Sequence, residues 1–139
     1  MINNLLNIMY DLNIEMKEKN NKIKLIYQNY IDEKLKAQIK EYKIEILQQL
    51  KENAAAKEIG FLVYQHGLFY EYRYGREAFL FIERHPNGRA TAWRENHRED
   101  QKGAYKTKII VQNVPFERAF KEATGFIEWL RKRQGKRVG

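Results

Sequence analysis

The fold is decided by residues 78–95, which read AFLFIERHPNGRATAWRE. Apolar and aromatic residues flank the turn sequence HPNG at residues 85–88. Proline presets the first position of such a turn, and an Asn-Gly pair supplies residues that accept a positive φ angle. This stretch predicts a β-hairpin with strands over residues 78–84 and 89–95.

The hairpin is flanked by sequence of the same kind. Runs of β-branched and aromatic residues, separated by turn signals, predict further strands at residues 59–65, 68–74 and 105–112. A final helix is expected to begin near Asn113, a good N-cap, with Pro115 in its first turn. Its apolar stripe, from Phe116 to Leu130, is suited to covering one face of the sheet.

Residues 1–56 show helical periodicity and no strand pattern. They predict one helix over residues 4–19 and a second over residues 22–53. The run of alanines at residues 54–56 then marks a hinge. We therefore expect a helical hairpin or coiled-coil-like element at residues 1–56, followed by a basic domain of antiparallel sheet and C-terminal helix at residues 57–139.

The second predicted helix has an apolar stripe that allows two interpretations. It packs on the first helix as an antiparallel hairpin, or it pairs with a copy of itself in a homodimer through residues 22–53. The stripe consists of Leu35, Ile39, Tyr42, Ile46 and Leu50. In either case the chain is predicted to be an α+β protein. A helical hairpin or long helix comes first, followed by a four- to five-stranded antiparallel sheet that a C-terminal helix covers.

Charge separates the two parts of this 139-residue chain, which carries a net charge of +8. Residues 1–56 hold nine Lys and eight acidic residues, a net charge of +1. Residues 57–139 hold seven Lys, ten Arg and ten acidic residues, a net charge of +7. Arginine suits forked recognition of phosphate or carboxylate, so a basic domain with every arginine of the chain points to an anionic partner.

Several classes of site are excluded or disfavoured by composition. The chain has no Cys and no Ser, which removes thiolate metal sites and Ser or Cys nucleophiles. Its three histidines, His66, His85 and His97, are isolated and lack metal-ligand spacing. The polar loop at residues 95–100 is a weak candidate for a nuclease site. We expect a non-enzymatic, cytoplasmic protein with no cofactor, no metal and no membrane segment.

The C-terminal tail, RKRQGKR at residues 131–137, contains five cations and no acid. Such a cluster stabilises the end of a helix, and it also suits an arm that neutralises phosphates. The candidate phosphate contacts in the tail are Arg131, Lys132, Arg133, Lys136 and Arg137.

Period-2 alternation places Tyr70, Tyr72 and Tyr74 on one face of a strand. They form either a platform on which bases stack or a set of core residues under the C-terminal helix. The hairpin and last strand add Arg84, Arg89, Trp93, Arg94, Lys106 and Lys108. Acids such as Glu83 and Glu95 lie among these cations, and cross-strand ion pairs are the alternative role for them.

These features predict a non-catalytic protein that binds DNA or RNA through its basic, aromatic-rich sheet and tail. The alternative is a protein-interaction factor, an inhibitor or adaptor of the kind that phages and mobile elements encode, which binds an acidic protein. Under that alternative, the nearly neutral residues 1–56 carry the interaction.

Overall fold

The computed structural model describes residues 2–28, 30–98 and 102–138, and side chains as far as residue 133. The chain divides into two compact units, Met1–Leu68 and Phe69–Gly139. In chain order the elements are α1 (Ile2–Asp11), β1 (Glu15–Lys19), β2 (Lys22–Ile26), α2 (Glu33–Glu41), α3 (Lys43–Ile59), β3 (Leu62–Tyr64), β4 (Phe69–Gly75), β5 (Ala78–Arg84), β6 (Arg89–Asn96), β7 (Lys106–Pro115) and α4 (Phe116–Val138). The predicted α+β class is confirmed: an N-terminal helix precedes a five-stranded antiparallel sheet on which a C-terminal helix packs.

The helix predicted over residues 4–19 is wrong in its second half. α1 ends at Asp11, and Asn13 adopts a left-handed conformation with φ of 56°. The chain then enters β1, which pairs with β2 through Asn20 and Asn21, whose φ angles are 53° and 62°. Asparagine tolerates positive φ at both centres of a tight hairpin turn, so this Asn-Asn pair is a turn between strands.

The single helix predicted over residues 22–53 is also wrong. Its first residues form β2, in which Ile23 and Leu25 are half-buried and alternate with exposed lysines. Asp32 then caps α2, since its side chain accepts a hydrogen bond of 2.7 Å from the N–H of Leu35. A break at Tyr42 separates α2 from α3.

The apolar stripe of residues 35–50 faces the interior of the first unit. Leu35, Ile39 and Ile46 are buried in its core together with α1 residues such as Leu6 and Met9. Tyr42 and Leu50 pack against the same cluster. The stripe therefore packs inside the unit and is not available to pair with a second copy of the chain. The homodimer through residues 22–53 stays a prediction.

α3 continues through the alanines at 54–56, so no hinge interrupts the chain there. It ends at Gly60, whose φ of 123° lets its N–H bond the carbonyls of Ala56 and Lys57. The strand predicted at residues 59–65 is consequently limited to β3. The predicted domain boundary between residues 56 and 57 lies inside α3.

The five-stranded sheet has the order β3-β4-β5-β6-β7. β5 spans the predicted residues 78–84, and β6 pairs with it through the predicted turn. That turn is closed by a 2.7 Å bond from the N–H of His85 to the carbonyl of Arg89, and Gly88 has a φ of 83°. The central hairpin therefore forms as the sequence predicts.

The C-terminal helix begins later than predicted. Asn113 does not cap it, because this residue lies in β7 with φ of 52° and its N–H bonds the Thr91 hydroxyl at 3.1 Å. α4 starts at Phe116, directly after Pro115. It lies on β5, β6 and β7 and buries Ala119, Ala123 and Ile127 against them. In the parts of the chain that the structure describes, no helix has the length and apolar character needed to cross a bilayer.

Candidate nucleic-acid interface

The strands of the second unit place acids and most cations on opposite faces of the sheet. Directly paired residues share a face, and the contact of Tyr70 with Phe116 identifies the face that α4 covers. By strand register, the acids of β4–β7 lie on the opposite face, which we call the open face: Glu71, Glu83 and Glu95. The α4 face carries Arg84, Arg94, Lys106 and Lys108.

Two of the three acids on the open face, Glu83 and Glu95, have histidine partners. Glu83 lies 3.4 Å from a ring nitrogen of His85, and Glu95 lies 3.5 Å from one of His97. Within the described ranges, Arg94 forms no ion pair with a carboxylate. The cross-strand ion pairing considered for this arginine is therefore absent from those ranges, because strand alternation directs its neighbour Glu95 to the opposite face.

A basic aromatic patch lies where β6, β7 and the C-terminal part of α4 meet, and we define it by Arg94, Lys108, Phe126, Trp129 and Arg133. The guanidinium carbon of Arg94 is 4.5 Å from the Phe126 ring centre, and Lys108 is the cross-strand partner of Arg94. The Phe126 and Trp129 rings stack with centres 6.0 Å apart. The guanidinium carbon of Arg133 is 4.8 Å from the Trp129 ring centre.

Helix geometry explains the order of the patch residues along α4. Residues three and four apart are neighbours on a helix surface, so Phe126, Trp129 and Arg133 follow one another along a single face. Tyr74 packs edge-on against Phe126, with ring centres 5.2 Å apart, and anchors this end of α4 to the sheet. The patch thus combines cations from β6, β7 and α4 around two stacked rings.

Two predicted arginines lie away from the patch. Arg84 stacks on Phe116 at 3.9 Å, at the opposite end of the sheet-packed part of α4 from Phe126. The spacing of ten positions between Phe116 and Phe126 corresponds to about 15 Å of helix. Arg89 donates from Nε to the carbonyl of Asn113 at 2.8 Å, so its side chain braces the hairpin turn against β7.

The predicted tyrosine platform does not form. Tyr70 is 0% exposed and lies under α4, and Tyr74 is half-buried against Phe126. Tyr72, between them in β4, is also half-buried. The alternative interpretation, core residues beneath the C-terminal helix, describes their positions, because the bulky rings fill the space between sheet and helix.

Trp93 is on the open face of the sheet, apart from the cations with which it was grouped. Its ring centre is 5.4 Å from that of Phe81, and its Nε1 donates to Glu95 at 2.7 Å. Lys106 and Lys108 are exposed on β7, and Arg131, Lys132 and Arg133 are exposed on α4. The side chains of Lys136 and Arg137 lie outside the described residues.

Sequence reasoning missed Phe126 and Trp129 as site residues. Phe126 was assigned to the core stripe, and Trp129 was not considered. The signal available in the sequence was the spacing of Trp129 and Arg133, since an arginine four residues after a tryptophan on a helix can stack on its ring. The partner from the sheet, Arg94, could not be identified without the packing angle of α4.

The first unit carries a separate basic groove of about 640 Å³ beside β2 and α2. Its cations are Lys22, Lys36, Lys40 and Lys43. Ile23, Ala37 and Ile39 supply its apolar lining. The one acid in its lining, Glu33, lies 3.5 Å from Lys36 and is paired with it.

His66 also belongs to the first unit. Its backbone carbonyl accepts hydrogen bonds from the side-chain amides of Gln49 at 2.9 Å and Asn53 at 3.0 Å. Burial lowers the pKa of the His66 ring below its ordinary value. Within the described ranges no cluster of His, Asp and Glu is placed to hold a metal ion.

Comparison of the chain with protein-family models, with curated proteins and with solved structures found no match.

Proposed function

We propose that the second unit binds nucleic acid through the basic aromatic patch. The supporting observation is that Arg94 and Arg133, from a strand and a distant helix, converge on the stacked pair Phe126 and Trp129. Within the described ranges, both guanidinium groups contact rings and neither forms an ion pair. Their N–H groups can therefore bind phosphate oxygens at little cost in lost internal bonds.

The charge distribution of the sheet supports the same proposal. Because its strand acids lie on the far face, the field of Arg94, Lys106 and Lys108 is not cancelled by adjacent carboxylates of the sheet. The exposed acids of α4, namely Glu117, Glu122 and Glu128, reduce the net charge of the helix. Arg131, Lys132 and Arg133 follow them, are exposed, and extend the basic surface.

Fluorescence anisotropy with labelled DNA and RNA at low and moderate salt tests the proposal. We expect binding that weakens steeply with salt, because each phosphate contact releases counterions. The double variant Arg94→Gln/Arg133→Gln should lose most of this binding. Arg73→Gln removes one charge on the open face, over Phe79, and is the charge-matched control for each of the single variants Arg94→Gln and Arg133→Gln. No binding by the wild type at low salt would refute the proposal.

A second candidate function, recognition of an acidic protein segment, has support from the groove of the first unit. Its lysines surround an apolar floor, which suits a peptide that alternates carboxylates with apolar side chains. A purified partner whose binding is lost in Lys40→Glu/Lys43→Glu, and kept in Arg94→Gln/Arg133→Gln, would favour this function. Equal binding by both double variants would count against it.

A further inference from the structure

We infer that the ligand of the basic aromatic patch is single-stranded nucleic acid, and that Trp129 stacks on one of its bases. This inference rests on the proposed function and specifies its substrate class. Trp129 is 49% exposed, although it is one of the largest apolar side chains in the unit. Its ring adds nothing to the charge of the patch, but it lies between the Phe126 ring and the Arg133 guanidinium, where a flat ligand can stack.

Gly125 lies one helical turn before Trp129 and carries no side chain. Side chains in a helix lean over the preceding turn, which for Trp129 is the turn of Gly125 and Phe126. A Cβ built at Gly125 meets no atom within 4 Å. Glycine is unfavourable inside a helix compared with alanine, yet this position in α4 carries no side chain that would cover the indole.

The exposed aromatic ring favours single-stranded over double-stranded nucleic acid as the ligand. In a duplex, the faces of the bases are stacked on one another, and a protein meets phosphates and base edges. A single strand offers free base faces, and stacking on aromatic side chains is the main sequence-tolerant contact for such ligands. A patch made only of cations would suit either form, whereas a half-exposed indole ring beside cations suits the single strand.

Arg133 provides a way for the base to enter. Its guanidinium stacks over the Trp129 ring and, within the described ranges, has no carboxylate partner to hold it there. A base can take its place on the ring, while the displaced guanidinium binds the adjacent phosphate. Arg94 and Lys108, on the other side of Phe126, then contact the backbone that leads away from this base.

The test uses the full chain with Trp93→Phe, which leaves Trp129 as the one tryptophan of a chain that has two. A 15-nucleotide thymidine homopolymer and a duplex of the same length are titrated at equal salt. We expect saturable quenching of Trp129 fluorescence by the homopolymer and an affinity at least about 10-fold higher than for the duplex. The reciprocal variant Trp129→Phe, which keeps Trp93, should show no such quenching.

Affinity measured by anisotropy completes the test. Trp129→Ala should weaken homopolymer binding by about 5- to 150-fold, the range for one stacked base, and change duplex binding less than about 2-fold. Trp129→Phe should restore most of the lost affinity. Equal affinity for duplex and homopolymer, or an unchanged affinity in Trp129→Ala, would overturn this inference and leave the proposed function standing. Binding to neither ligand would overturn the proposed function itself.

Discussion

Arg84 donates a hydrogen bond from Nη2 to the Tyr70 hydroxyl at 2.9 Å, which ties a fully buried ring of the sheet to a cation beside it. The same guanidinium stacks on Phe116, so the start of α4 and the strands β4 and β5 are joined through one side chain. This end of α4 is consequently held by an arginine that bonds and stacks within the fold. At the patch end, Arg94 and Arg133 contact rings and form no ion pair with any described residue.

Tyr70→Phe is expected to reduce stability and not affinity. Removing the hydroxyl deletes the partner of Arg84, which should lower the free energy of unfolding by about 0.5–1.5 kcal/mol. Urea denaturation followed by circular dichroism measures this loss. The affinity for single-stranded nucleic acid should remain within about 2-fold of wild type. A large loss of affinity with unchanged stability would instead show that the Tyr70 hydroxyl takes part in nucleic-acid binding.

Arg94→Gln is expected to weaken nucleic-acid binding by about 3- to 30-fold, because one charge-assisted phosphate contact is lost. Arg94→Lys keeps the charge but not the planar group that stacks on Phe126, so its affinity should be intermediate. Anisotropy titrations at fixed salt measure both. An Arg94→Gln affinity equal to that of Arg73→Gln would show that Arg94 makes no phosphate contact.

The salt dependence of binding should report how many patch cations meet phosphates. For single strands, the slope of log K against log salt changes by about 0.7 for each phosphate contact. Arg94→Gln/Lys108→Gln should therefore flatten the slope by about 1.4. Titrations at four or more salt concentrations give this value. A lower affinity with an unchanged slope would mean that Arg94 and Lys108 support the structure of the patch and do not contact phosphates.

Substitutions at Gly125 should separate helix stability from access to Trp129. Gly125→Ala is expected to raise the free energy of unfolding by about 0.5–1 kcal/mol, since the added Cβ meets no atom within 4 Å. Gly125→Leu places a larger side chain beside the indole and should weaken single-strand binding while α4 stays folded. Thermal melts and homopolymer titrations of both variants measure the two effects, and full affinity in Gly125→Leu would contradict the role given to this space.

His66 should make the first unit less stable at acidic pH. Its pKa is lowered in the folded state by burial, so the unfolded chain binds a proton more readily. Stability is therefore complete above the unfolded pKa of about 6.5 and falls as pH decreases toward the lower folded pKa. Urea melts at several pH values should show this loss in the wild type and a smaller one in His66→Gln. An equal pH dependence in both proteins would assign the effect to other groups.

The sheet was predictable from sequence because its signals are local. The HPNG turn at residues 85–88 carries its own φ preferences, and the strands beside it are rich in β-branched and aromatic residues. The hairpin at β1 and β2 was missed because each strand has only five residues. Met9 and Met16 also happen to be spaced as on a helix, although the left-handed Asn13 separates them.

The candidate site was predicted in part, and the missing part depends on tertiary packing. Arg94, Lys108 and Arg133 were identified as cations, but sequence alone does not show which aromatic rings they meet. The tyrosines were the more conspicuous aromatic group, yet period-2 alternation assigns them to a face without saying whether that face is covered. The axis of α4 across β6 decides this, and it buries Tyr70 while leaving Trp129 exposed.

The alternation of Glu83 with Arg84, and of Arg94 with Glu95, has a consequence at long range. The α4 face carries four strand cations, whereas the three acids of the open face are partly offset by Arg73 and Arg89, and this difference gives the sheet an electric dipole roughly along its normal. The field of a polyanion exerts a torque on this dipole, which turns the α4 face toward the polyanion before any contact is made. Encounters should then begin in a productive orientation more often than random rotation allows, and added salt should remove this advantage in the association rate.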